Sequence, residues 1–340
     1  IYTAVIPHTA SSPGQMVRWY VTAQDESGKS SRAPAFLDQS GTDQSPEYFG
    51  TVVADPSAQN QLPVLQWFLQ PGTERRADSR SGTRASLFYG EEFYDNVFAR
   101  IRGGSSTSLP KKSYKFDFNT AHSFRFHPDH GRVREINVNT TYTNKDYIRQ
   151  ALTFEAYDDA GAPGSESFPL RVQRNGEFFS VAIFVEQPDE DLLRREGFDP
   201  DGALYKMFNT FTSGTNSVEK KTRTYENNDD LVDFVRQINN RSGEDLARYV
   251  FDHINIPAVL NYLAATVITQ NNDQSAKNYY LYRDTNGTGE WLFLPWDLDL
   301  VFGLHYMSND NIRDDVIWAD KDGFRTFAGV TIWPSHPFVG

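Results

Sequence analysis

Apolar residues recur at every second position through most of the first half of this chain, and in 3.6-residue stripes through most of the second. Val17, Trp19, Val21 and Ala23 alternate with Arg18, Tyr20 and Thr22, the pattern of a half-buried strand. That pattern predicts two or three antiparallel strands over residues 1–35, with a turn at 25–28 and a stop at Pro34. Residues 36–62, rich in Ser, Asp, Gln, Gly and Pro, read as a linker holding a short strand near 48–53. Strand patterns then follow at 63–69 and 112–118, with a hairpin of 86–89 and 96–101 between them. Tyr147, Ile148, Ala151, Leu152 and Phe154 fall at helical spacing and predict an amphipathic helix over 145–157. A second hairpin, 170–172 with 178–186, turns at Asn175-Gly176. From Asp189 the chain turns helical, with stripes over 230–238, 243–254 and 258–269, and a last hairpin pairs 279–283 with 291–294.

Strands first and helices second predict an α+β fold. Residues 1–35 read as the last strands of a truncated immunoglobulin- or fibronectin-like sandwich, 36–62 as linker, and 63–340 as the main domain, with its C-terminal end in mid-pattern. No apolar run reaches the roughly 18 residues that span a bilayer. A net charge of −12 argues against a nucleic-acid partner and suits a basic substrate segment or a divalent metal. The absence of Cys removes disulfides, thiolate metal sites and cysteine nucleophiles, and is compatible with export.

The candidate chemistry lies in a few stretches. Arg102-Gly-Gly-Ser-Ser106 forms a small-residue turn before a strand that opens with Lys112, an arrangement that lets backbone N–H groups and an ammonium approach phosphates. An ordinary hairpin turn with solvated lysines reads the same residues. Glu155 falls on the predicted helix and Glu186 ends an apolar strand; a surface carboxylate and a capped strand end are their plain alternatives. Asp273 precedes Asn278 by five residues, and Asp297 and Asp299 follow the last hairpin. If Pro295–Asp299 is extended, both acids point one way, and between apolar neighbours they repel unless a cation joins them. The alternative is that each acid caps a turn. Asp284-Thr-Asn-Gly-Thr-Gly resembles the start of a calcium loop but lacks its closing Glu, which leaves a hairpin turn.

Protein kinases show the same order: a catalytic Asp, four residues, an Asn, a strand pair and a metal-binding Asp near a Gly, here Gly303. Over about 63–307 the chain resembles the spore coat protein H (CotH) kinase family. The resemblance rests on 102–116, on 184–193 with Leu204-Tyr-Lys206, and on 272–303. It implies a two-lobed protein-kinase-like fold, strand-rich N-lobe before helical C-lobe, that uses ATP and Mg2+ (or Mn2+ or Ca2+) on Ser or Thr hydroxyls of a secreted or surface protein. Carried across residue by residue, Asp273 is the catalytic acid and Lys112 the phosphate-neutralising lysine. Asn278, Asp297 and Asp299 hold the metal, Arg102 and Ser106 belong to the phosphate turn, and Glu155 and Glu186 complete the nucleotide site. The family's usual Arg-Gly-Asn-Ser-Ser is Arg-Gly-Gly-Ser-Ser here. Some relatives are adhesion proteins, so a surface-binding module that keeps the fold without turnover is the second reading, with an exported, cell-surface location under either.

Overall fold

The computed structural model describes residues 3–37, 44–58, 61–142, 145–209, 211–271 and 277–302, and a short antiparallel pair of Thr326–Phe327 with Val330–Thr331. Backbone contacts divide the chain into two units: Ile1–Tyr147 with Phe168–Glu186, and Ile148–Ser167 with Gln187–Gly340.

The first unit opens with β1 (Met16–Trp19), β2 (Val21–Gln24), β3 (Ser30–Ala33) and β4 (Phe49–Val52). β2 pairs with β3, and β1 pairs with β4, inside the stretch read as linker. The alternation at 17–23 buries little: the chain breaks at Tyr20 and every residue of β2 is exposed. Asp95, 2% exposed, fastens this region by accepting the N–H groups of Glu47 and Tyr48, both at 2.9 Å, and the Ser86 hydroxyl at 2.7 Å.

β5 (Val64–Leu69), the short helix α1 (Glu74–Ala77), β6 (Thr83–Tyr89), β7 (Glu92–Arg102), β8 (Ser113–Asp117), β9 (Glu135–Asn139), β10 (Ser167–Arg174) and β11 (Glu177–Glu186) complete the unit. The seven strands from β5 to β11 form a closed barrel in the order β10-β11-β9-β8-β7-β6-β5, shut by parallel pairing of β10 with β5. In β8 the pleat puts Tyr114 and Phe116 in the core and Ser113, Lys115 and Asp117 on the other face. Trp67 meets Tyr114 at 5.0 Å and Phe116 edge-on at 5.3 Å, packing that fills the barrel with aromatic area. Both tight hairpins carry positive φ at two central residues: Gly90 (54°) with Glu91 (69°), and Asn175 (53°) with Gly176 (85°). The first hairpin is longer than its apolar residues suggest, because its second strand starts at Glu92 rather than Asn96.

The second unit holds α2 (Arg149–Asp159), α3 (Glu190–Arg195), β12 (Ala203–Met207), β13 (Val218–Lys220), α4 (Asp229–Asn240), α5 (Gly243–His253), α6 (Ile256–Ile268), β14 (Tyr279–Arg283) and β15 (Trp291–Pro295). α2 starts four residues later than its apolar spacing predicts, because Tyr147 has φ 62° and lies outside the helix. Asp189 caps α3 by accepting the N–H of Asp191 at 2.9 Å, and Asn255 caps α6 by accepting that of Ala258 at 3.1 Å. The strands form an antiparallel sheet in the order β13-β12-β14-β15. α4 buries Leu231, Phe234, Val235 and Ile238 on one stripe, and Phe234 stacks on Trp291 at 4.5 Å. A ring series Tyr157, Tyr262, Phe293 and Tyr279 runs from α2 through α6 and β15 to β14, with centroids 5.5, 5.4 and 5.6 Å apart. The overall class is therefore α+β. Among the described residues no helix is long and apolar enough to cross a membrane.

Candidate active site

The end of the β14–β15 hairpin places two of the sequence-predicted donor residues at adjoining backbone positions. Tyr279 lies opposite Pro295, so the next rung sets Asn278 beside Trp296, whose N–H donates to the Asn278 carbonyl at 3.1 Å. Asp297 follows directly. Asn278 is buried and Asp297 half-buried, and both hold left-handed backbone, φ 69° and 57°. Asn and Asp tolerate that region better than other non-glycine residues, but strain of this kind gathers where function needs it.

The assumption that Pro295–Asp299 is extended does not survive. β15 ends at Pro295, Asp297 is left-handed, and Leu298–Asp299 form a turn. The physical reason is packing: Leu298 and Val301 are completely buried, and the chain must turn to seat both. Asp299, half-buried, therefore sits on a turn after Asp297 instead of two steps along one strand face. Asp273 lies outside the described residues, as does Gly303. Among the described residues no group of three or more His, Cys, Asp or Glu side chains could hold a metal; the donors at this hairpin end are an amide and two carboxylates. An all-oxygen set of that kind suits a hard cation such as Mg2+.

Lys206 also belongs to this neighbourhood. It pairs with Tyr280 across β12 and β14, and its ammonium lies 5.2 Å from the Trp296 ring centroid, 5.2 Å from that of Phe208 and 5.8 Å from that of Tyr280. That places a cation over the residue that precedes Asp297. Leu204-Tyr-Lys206 carries part of the family resemblance, but a run buried on both faces has no period that marks it as a strand, so the sequence assigns the lysine no role.

Behind the hairpin, α2 and α6 hold the adjoining loops. The Tyr157 hydroxyl bonds to Thr266 Oγ1 at 2.8 Å and accepts from Asn271 Nδ2 at 3.2 Å, and full burial pushes its phenol up. Glu155, on the same helix, is exposed and has no hydrogen bond or ion pair among the described residues.

The phosphate-turn candidates lie in the first unit. Gly103 adopts φ 109°, a conformation that favours glycine, and a Cβ there would stand 2.0 Å from Ser106 Oγ and displace that hydroxyl. Arg102 Nη1 donates to Asn139 Oδ1 at 2.5 Å, while Arg80 Nη2 donates to the Gly103 carbonyl at 2.5 Å. Lys112 Nζ donates to the Thr107 carbonyl at 2.6 Å and so braces the turn of Ser105–Ser108. Lys111 spans to the Val181 carbonyl at 2.7 Å, and burial lowers its pKa. The lysine on the strand itself is Lys115, which pairs with Glu135 and stands 3.7 Å from Asp117. Burial raises the Asp117 carboxyl against the pull of Lys115. The period-two pattern of 112–118 already sets Lys115 on the strand, whereas Lys112 precedes it. Glu186 is 1% exposed and shares a rung with Ile136 at the end of β11.

A model of the family described as CotH kinase protein matches residues 99–336. The chain belongs to the CotH family. A curated relative, the inner spore coat protein H of Bacillus subtilis (strain 168), is 29% identical over 263 residues, which cover 72% of this chain and 70% of the relative. The CotH match takes in the Gly/Ser turn, Lys112 and Lys115, Lys206 and the whole β14–β15 hairpin with its donors.

Proposed function

We propose that this CotH chain is a phosphotransferase that uses ATP and a divalent cation to phosphorylate Ser or Thr hydroxyls of a coat or surface protein. Asn278 and Asp297 carry the reading: they stand at adjoining backbone positions at one hairpin end, both with left-handed φ, inside the family match. Asn278, Asp297 and Asp299 would hold the ion, which when bound supplies neutralising charge to the nucleotide phosphates. Asp273 orients the acceptor hydroxyl and takes its proton, and Lys112, with Lys115 on the strand that follows it, offsets phosphate charge. The two units then correspond to the strand-rich and helical lobes of a kinase-like fold. The experiment is transfer of labelled phosphate to casein and to the chain itself with Mg2+ or Mn2+. Transfer that is lost in Asp273→Asn and Asp297→Asn is the expected result, and a wild type that transfers nothing with either ion defeats the proposal.

The relative's name describes a coat component, which favours one further reading: a non-catalytic binding module of a coat or cell surface. Thermal stabilisation by ATP only in the presence of a divalent ion separates the two, since a module without turnover has no need to bind that pair.

A further inference from the structure

Two described stretches flank the β14–β15 hairpin, Thr269–Asn271 and Asp297–Phe302, and one helix is bonded to both. At the start of α2, Arg149 Nη1 donates to the Val301 carbonyl at 2.8 Å, just beyond Asp299. Near its end, the Tyr157 hydroxyl accepts from Asn271 Nδ2, on the segment that leads to Asp273. The loops are also joined directly: the Phe302 N–H donates to the Thr269 carbonyl at 2.6 Å. Along this path Gln270 (φ 49°), Asn278 (69°), Asp297 (57°) and Phe302 (53°) are all left-handed without being glycine. Phe302 is the most telling, because its side chain is 42% exposed and packing of the ring does not explain the conformation. Such residues persist only where the surroundings over-determine them. The bonds from α2 supply that determination at both ends.

We infer that α2 is a positioning element for the loops at this hairpin, with Arg149 setting the Asp297–Asp299 loop and Tyr157 setting the Thr269–Asn271 turn. This role rests on the phosphotransfer reading for its kinetic consequence, but not for its structural one. It also gives α2 a task different from the one its place in the sequence implied. The helix serves through Arg149 and Tyr157, which face its own unit, while Glu155 is exposed.

The test compares Tyr157→Phe, Arg149→Met, Arg149→Lys and a control, Thr153→Val. Thr153 is fully buried and its hydroxyl donates at 2.7 Å to the Arg149 carbonyl, a bond internal to α2. Tyr157→Phe and Arg149→Met are expected to lower kcat about 10–100-fold with the KM for ATP unchanged, the scale seen when partners behind a metal ligand are removed. Arg149→Lys, which can still donate to the Val301 carbonyl, should recover most of the loss, and Thr153→Val should leave kcat intact. Amide hydrogen exchange is the second readout: residues 269–271 and 297–302 should exchange faster in the two loss variants and not in the control. Equal exchange in all four variants overturns the inference, as does a kcat loss in Thr153→Val that matches Tyr157→Phe. A wild type without transfer defeats the functional reading alone, because the exchange comparison still decides whether α2 holds the loops.

Discussion

Replacing Asp297 by glycine separates a structural acid from a functional one, because the backbone and side-chain consequences have opposite signs. At φ 57° an L-residue bears strain of about 1–2 kcal/mol, somewhat less for Asp, and glycine removes it. Glycine also gives the unfolded chain extra freedom, which costs about 0.5–1 kcal/mol. The side chain is only half-buried, so little packing is lost. The net change is then within about 1 kcal/mol, or about 2–4 °C in Tm for a domain of 150–250 residues. If Asp297 merely capped a turn, Asp297→Gly would be nearly silent in every assay. As a metal-holding carboxylate its loss must exceed the ~10–100-fold that partners behind such ligands cost, so a fall of at least about 100-fold in transfer is expected at nearly wild-type Tm. Calorimetry and labelled-phosphate transfer on the same preparation measure both. Transfer above a tenth of wild type would refute the assignment of Asp297, and a Tm drop beyond about 10 °C would refute the strain argument.

Three further outcomes follow from the geometry. Lys206→Met keeps a stem of similar length but abandons three ring faces, so a loss of about 1–2 kcal/mol in urea unfolding is expected, together with a higher KM for ATP; an unchanged KM would confine Lys206 to packing. Burial pushes the Glu92 carboxyl up, but hydrogen bonds from Arg132 and Tyr94 outweigh it and hold the pKa below the usual range, so this stability is present above the unfolded pKa and lost as pH falls through the folded one. Burial also lowers the nearby His122, whose unfolded form charges below about pH 6.5, with the same sign; Tm should fall with acidification, and Glu92→Gln should flatten the lower part of that fall by about 0.5–1 kcal/mol after screening. Gly103→Ala should cost about 1–3 kcal/mol in denaturant unfolding, since both the φ of 109° and Ser106 Oγ oppose a Cβ; unaltered stability would show that the turn relaxes freely.

What the sequence reveals here depends on whether the signal is local. The Asn175-Gly176 turn, the α4 stripe and the β14–β15 hairpin each follow from a few neighbouring residues, and each stands where those residues put it. β9 was missed although Ile136 and Val138 alternate with Glu135, Asn137 and Asn139, because two apolar residues make a weak pattern until Tyr114, Phe116 and Phe184 pack against the same face. β12 was missed for the opposite reason: Ala203, Leu204, Tyr205 and Met207 are buried on both faces, and such a run has no period to read. At the site, the spacing of Asn278 and Asp297 was legible, and their places at the end of one hairpin follow from the pairing of β14 with β15. The turn at Leu298–Asp299 was not legible, since it depends on where Leu298 and Val301 find a core. The roles of Lys206 and Tyr157 depend on strand and helix neighbours far away in the sequence, and no spacing rule reaches them.

The family match begins at Ala99, in the middle of β7, yet the barrel cannot be closed from there on. Its shutting rung is the parallel pairing of β10 with β5, Val172 opposite Leu65, and β5 precedes the match entirely. β6 does too, and it pairs with β7 along nearly its whole length. Trp67, from β5, is 1% exposed and touches Tyr114 and Phe116, both inside the match. The matched segment alone would leave Tyr114 and Phe116 of β8 and Phe179 of β11 without that indole and the edge of β10 without a partner, a combination that invites aggregation. The strands that carry the Gly/Ser turn and Lys115 are therefore held in place by residues before the match. In this chain the part that resembles its family most and the part that folds as one unit are not the same stretch of sequence.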